Sequence, residues 1–102
     1  MIKVKIQRDE STQKIVVIEV KGHAEQAEFG KDLVCAAISA IITGGMNALT
    51  SDSVTLKLEE GYALIKYDNL PDEHDAVVLN TIYTQLLTVQ EDREEFIKIS
   101  IL

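Results

Sequence analysis

The single cysteine of the chain, Cys35, and one of its two histidines, His23, fall in one short stretch, GHAEQAEFGKDLVCAAIS, from Gly22 to Ser39. Cysteine attacks as a thiolate, and an ordinary thiol, with a pKa near ~8.5, is mostly protonated at neutral pH. A histidine within hydrogen-bonding reach supplies what is missing. It takes the thiol proton and later protonates the leaving amine, the minimum apparatus for acyl transfer. Asp32 precedes the apolar run beginning at Leu33 and is placed to cap a helix. Cys35 would then be the third helical residue, where unpaired amides favour a negative sulfur and can hold an oxyanion. The charge of Asp32 works against a second anion there. Ser39 follows Cys35 by one helical turn and shares its face.

Each of these residues also has a purely structural reading. A lone cysteine in CAAIS can be a small buried hydrophobe. Ser39 can back-bond the carbonyl of Cys35, His23 can be a turn residue after glycine, and Asp32 can be a cap and nothing more. Glu25 and Glu28 read as solvated loop charges. His74, inside DEHD, reads as a solvated helix start, because adjacent residues on a helix diverge too far to share a metal. The Gly44-Gly45 pair lacks the lysine and spacing of a phosphate loop and reads as a weak point or a close-packing site. No metal and no cofactor is expected.

Composition bounds the setting. A chain of 102 residues with 46% hydrophobic content suits one domain, residues 1–102, with one small core. The net charge of -7 sets a repulsive average field against a phosphate backbone, unless the few lysines cluster on one face. Direct contact with nucleic acid is therefore not expected, whereas basic peptides would be attracted. One cysteine forms no internal disulfide, which fits a reducing cytoplasm. The run LVCAAISAIITGGMNAL raises the question of a membrane span. Its Ser39, Thr43, Asn47 and glycine pair, and the flanking Asp32 and Asp52, point to a buried helix and no membrane contact.

The elements that must position the stretch follow from periodicity. Ile2, Val4 and Ile6 alternate with polar residues, and Val16, Ile18 and Val20 do the same after the turn RDESTQ, so the first twenty residues read as an antiparallel hairpin. The glycine-bounded segment Gly22 to Gly30 reads as a mobile connection. A helix, apolar almost all round, then runs from Leu33 to about Leu49. SVTLKLEE and YALIKYDN make a second hairpin, with Val54, Leu56 and Leu58 facing inward opposite Ala63, Ile65 and Tyr67 or their neighbours. An amphipathic helix from Asp72 to about Gln90 and a last strand through Ile97, Ile99 and Ile101 complete the order β-β-α-β-β-α-β. The fold class is α+β: a largely antiparallel sheet packed with two main helices, an α/β sandwich.

With those elements in place, GHA, a short loop and GKDLVCAAIS resemble the signature of the bacterial ribosomal-processing cysteine proteases, the Prp or YsxB-like family. Length and element order match over essentially the whole chain, and Leu33 stands where isoleucine is commoner. The resemblance implies that Cys35 is the nucleophile and His23 its base and acid, with Asp32 and Ser39 in supporting roles. It implies a cytoplasmic cysteine endopeptidase that removes the N-terminal extension of large-subunit ribosomal protein number twenty-seven. It further implies a homodimer, and a substrate loop from Ala24 to Lys31, with Gly22 before it and Gly30 and Lys31 at its far end, that moves to admit the peptide. The competing reading is a non-catalytic ribosome-associated binding module on the same fold. A thiol redox protein is disfavoured, because no resolving cysteine is present.

Overall fold

A computed structural model describes residues 1–22 and 29–102 of the chain. The elements are β1 (Ile2–Arg8), β2 (Ile15–Lys21), α1 (Phe29–Ala48), β3 (Val54–Glu59), β4 (Tyr62–Tyr67), α2 (Glu73–Asp92) and β5 (Ile97–Ile101). This is the order and the α+β class that periodicity indicates.

The five strands form one sheet in the order β3-β4-β2-β1-β5. Both hairpins are antiparallel, and β2 pairs β4 antiparallel as well. β5 lies parallel to β1, with Ile2 opposite Ile97 and Val4 opposite Ile99. A parallel neighbour needs a crossover, here the long return through α2, so the sheet is mixed.

Alternation decides which face is covered. Ile2, Val4, Ile6, Ile18, Val20, Ala63, Ile65, Tyr67 and Ile97 are buried together with Val34, Ile38, Ile42 and Met46 of α1 and Leu79, Ile82 and Leu86 of α2. The two helices thus form one layer on one sheet face. The opposite face carries Lys3, Lys5 and Gln7 from β1 and their cross-strand partners, and no element of the described chain covers it.

Three details depart from simple periodicity. The β1–β2 register shifts at Gln7 and Arg8, with Gln7 opposite Val17 and Arg8 opposite Ile15, leaving Val16 as the extra residue of a bulge. Ile15, not Val16, is the fully buried side chain. In β3 the pairing is the expected one, Leu56 with Ile65 and Leu58 with Ala63, yet Leu56 and Leu58 are 43% and 58% exposed. They face inward on an edge strand that neither helix roofs. Finally, α1 buries a single stripe at fourfold spacing, Val34, Ile38, Ile42 and Met46, and leaves Leu33 exposed. Cys35 and Ile41 are half-buried against the margin of the core.

Gly45 is the point where the helices meet: a Cβ there would collide with the Ile82 side chain, while Gly44 faces open space. The glycine pair is thus a close-packing site at one residue only. Among the described residues no helix is long and apolar enough to cross a membrane.

Candidate active site

Cys35 stands on α1 and is half-buried at the margin of the core. It lines a groove of about 120 Å³ between α1 and the β3–β4 end of the sheet. Ile38, Ser39 and Ile42 continue the helical wall, Ile2, Val20 and Ala63 contribute from the sheet, and Leu58, Glu59, Gly61 and Tyr62 lie on the other side. Leu58 of the groove is one of the two leucines left uncovered on β3. Apolar walls with an open edge strand beside them suit an extended peptide, whose main chain can pair with the free strand edge while its side chains enter the groove.

Gly22 also lines this groove. Its φ is +110°, and a Cβ there would lie 2.6 Å from the carbonyl oxygen of Met1. Only glycine allows the chain to leave β2 this way. Its amide donates to the carbonyl of Gly61 at 3.0 Å, tying the exit of β2 to the β3–β4 turn. That turn contains Gly61 with φ +74°, the left-handed position a two-residue connection needs.

Placement of the other expected residues differs in one respect from the sequence reading. α1 begins at Phe29, four residues before the expected start at Leu33, so Gly30, Lys31 and Asp32 stand in its first turn and Asp32 is not the N-cap. Cys35 is consequently beyond the helix's four free amides. The helix terminus is not what would hold an anionic sulfur or an oxyanion at this position. His23 and most of the loop Ala24 to Lys31 lie outside the described residues. Ser39 is solvent-exposed on the face it shares with Cys35. Among the described residues its hydroxyl makes no bond back to the helix, in contrast with Thr81, Thr84 and Thr88, each of which bonds the carbonyl one turn earlier. Ser39 therefore keeps a hydroxyl available at the groove.

Leu58, Glu59 and Tyr62 are groove residues that sequence reasoning did not pick out. Their signal was present: β3 places leucines on the inner face, and two helices cannot roof five strands.

A second polar cluster lies elsewhere, between the loop after α1 and the start of α2. Asp72 caps α2, its Oδ1 accepting from the Asp75 amide at 2.8 Å. Asp75 is fully buried. Its carboxylate accepts from the Tyr67 hydroxyl at 2.8 Å, the Thr50 and Ser51 amides at 3.1 Å and 3.1 Å, and His74 Nδ1 at 2.8 Å. Burial alone would raise the Asp75 pKa, but the hydrogen bonds from His74, Tyr67, Thr50 and Ser51 outweigh it and hold the carboxyl far below its ordinary range. Burial, reinforced by the bond to Asp75, pushes the Tyr67 hydroxyl up. Asp72, His74 and Asp75 are near enough to share a cation, but protein donors already engage both carboxylates. The cluster is explained as a structural clasp joining α1, β4 and α2.

A protein-family model described as cysteine protease Prp matches residues 1–98. The chain belongs to that family. A ribosomal processing cysteine protease Prp of Staphylococcus aureus is 29% identical over 92 residues, covering 85% of this chain and 87% of the relative. Its counterpart from Mycoplasma genitalium is 43% identical over 72 residues, covering 68% of this chain and 71% of the relative. The crystal structure of the S. aureus Prp protease in complex with a substrate peptide superposes with a TM-score of 0.90 at 27% identity, with 100% of both chains covered. The S. aureus protease with a covalently linked product peptide gives a TM-score of 0.87 at 29% identity, again over 100% of both chains. With the family established, this chain is a cysteine protease, and its α+β fold is that of the Prp structures.

Proposed function

We propose that the protein is an endopeptidase in which Cys35 is the nucleophile and His23 the general base and acid, and that it removes the N-terminal extension of large-subunit ribosomal protein number twenty-seven. The observation that carries this reading is that Cys35 and Gly22, the residue covalently preceding His23, line one groove. Cys35 is also the chain's sole thiol, so a cysteine mechanism has no other nucleophile available within it.

The chemistry runs in two halves. His23 takes the Cys35 proton, and the sulfur attacks the scissile carbonyl carbon to give a tetrahedral oxyanion. Collapse breaks the C–N bond, His23 returns the proton to the leaving amine, and a thioester remains. Water activated by His23 then hydrolyses the thioester and restores the thiol. Ser39, free at the groove, is a supporting hydrogen-bonding group, and Asp32, in the first turn of α1, is assigned a supporting role by its motif position. Gly22 fixes the exit from β2, while Gly30 and Lys31 close the substrate loop on the helix side. The net charge of -7 favours a basic precursor N-terminus. A shallow apolar cavity between α1 and α2, lined by the exposed Val77 and the half-buried Ile41 and Val78, supports a homodimer built through the helical layer. A cytoplasmic location follows from a ribosomal substrate.

The test is incubation with the extended precursor, with products identified by mass spectrometry. Wild type should release the extension at one bond, and His23→Ala should slow cleavage roughly 10²–10⁴-fold. Saturable binding of the precursor by wild type with no release would instead establish the non-catalytic binding module.

A further inference from the structure

The open face of the sheet carries charge of the opposite sign to the chain. The register places Lys98 of β5, Lys3 of β1 and Lys21 of β2 directly side by side across three strands. Lys5, Lys66 and Lys57 lie on the same face. All six are exposed, and they are the majority of the 10 lysines and arginines in a chain with 17 acids. The described strands add only Glu19 and Glu59 to this face, and Glu19 is already engaged by the Tyr62 hydroxyl at 2.8 Å and by Lys21 at 3.8 Å.

Neighbouring strands are about 4.8 Å apart, so the three-lysine row sets like charges opposite one another, an arrangement that costs stability. A face needing only to stay soluble in this acidic chain could carry carboxylates or mixed signs. We propose that the open sheet face is a docking surface for a nucleic-acid phosphate backbone. Lysines supply point charges without the bidentate fork of arginine, and no arginine lies among these six; such a face grips phosphates and reads no bases. A lipid surface fits less well, because membrane-surface binding needs large apolar side chains to enter the acyl boundary. Of the exposed large apolar residues, Leu56, Leu58 and Ile101 belong to the inner face and Leu33 and Val77 to the helices; the open face has Leu102 at one corner, with Val17 and Leu64 only half-exposed among the lysines. The chain-average repulsion of phosphate is thus overcome locally, on the side of the sheet away from Cys35.

Fluorescence anisotropy of a labelled oligouridylate, titrated with the full-length protein over rising potassium chloride, tests this. The logarithm of the association constant should fall with the logarithm of salt at a slope of roughly -4 if all six lysines meet phosphates of a single strand. Lys3→Gln combined with Lys21→Gln and Lys98→Gln should halve that slope and weaken binding at least about tenfold at low salt. These changes relieve like-charge contacts, and none of the three lysines lines the groove, so cleavage of a short peptide should be unchanged. Lys3→Gln alone should lower the slope by roughly 0.7, which keeps the test open were the triple variant to misfold. The proposal is overturned by absence of binding at low salt, or by a slope that the substitutions do not alter. It is equally overturned if polyglutamate, or vesicles of phosphatidylcholine and phosphatidylserine, bind this face as tightly as the oligonucleotide.

Discussion

At the scale of single residues, two buried or half-buried groups divide the labour. Cys35, the proposed carrier of the chemistry, is only half-covered, as a residue that must meet a substrate has to be. Asp75 carries none of it and is wholly buried, accepting from Tyr67, Thr50, Ser51 and His74. Because its folded pKa lies below the ordinary 3.8, its contribution to stability is complete above that value and is lost progressively as pH falls beneath it. Acid denaturation followed by circular dichroism should therefore show an acid limb that Asp75→Asn flattens. At neutral pH the same substitution should cost roughly 2–3 kcal/mol, since it strips charge from several buried donors. A limb unchanged by Asp75→Asn would remove Asp75 from the account of acid stability. The sequence pointed to the helix start at Asp72 but not to this clasp, because its donors come from Thr50, Ser51 and Tyr67, which only the tertiary fold brings together.

At the scale of elements, what repeats locally was legible and what depends on neighbours was not. Period-two runs in β1, β4 and β5 and the helical spacing of Val78, Leu79, Ile82 and Leu86 announced their elements directly. The bulge at Val16 was hidden, since VVI offers apolar residues at every position and either register looks buried. The parallel placement of β5 was likewise hidden, being decided by the crossover through α2. The early start of α1 was missed because glycine and acidic residues in EFGKD read as a connection, and that error carried the expectation of a helix-terminal Cys35 with it. Gly45 gives the sharpest check on helix packing. Gly45→Ala must push against Ile82 and should destabilise by roughly 1–3 kcal/mol in thermal unfolding, despite the better helix propensity of alanine. An increase in melting temperature would show that α1 and α2 do not meet there.

At the scale of the whole molecule, the two layers give three surfaces of different character. The helical layer leaves Ile41 and Val78 half-buried beside Val77, which is 64% exposed. If this layer joins two copies, Val77→Glu should convert a dimer to a monomer of 11.3 kDa in light scattering; a wild-type protein already monomeric at micromolar concentration would exclude the homodimer. The open sheet face bears the lysines, and the groove between α1 and β3 bears the thiol. The helical wall of the groove at Cys35, Ile38 and Ser39 was readable from the His23 to Ser39 pattern, yet its far wall, Leu58 and Tyr62, arrives from a hairpin that carries no motif. The groove is where Cys35 is proposed to attack a peptide bond. The most direct measurement is intact-mass spectrometry of an acid-quenched reaction between the protein and the extended ribosomal precursor. Wild type should carry an adduct equal to the released extension minus one water, mapped to Cys35, and Cys35→Ala should show neither adduct nor cleavage. Cleavage that persists in Cys35→Ala would contradict the account.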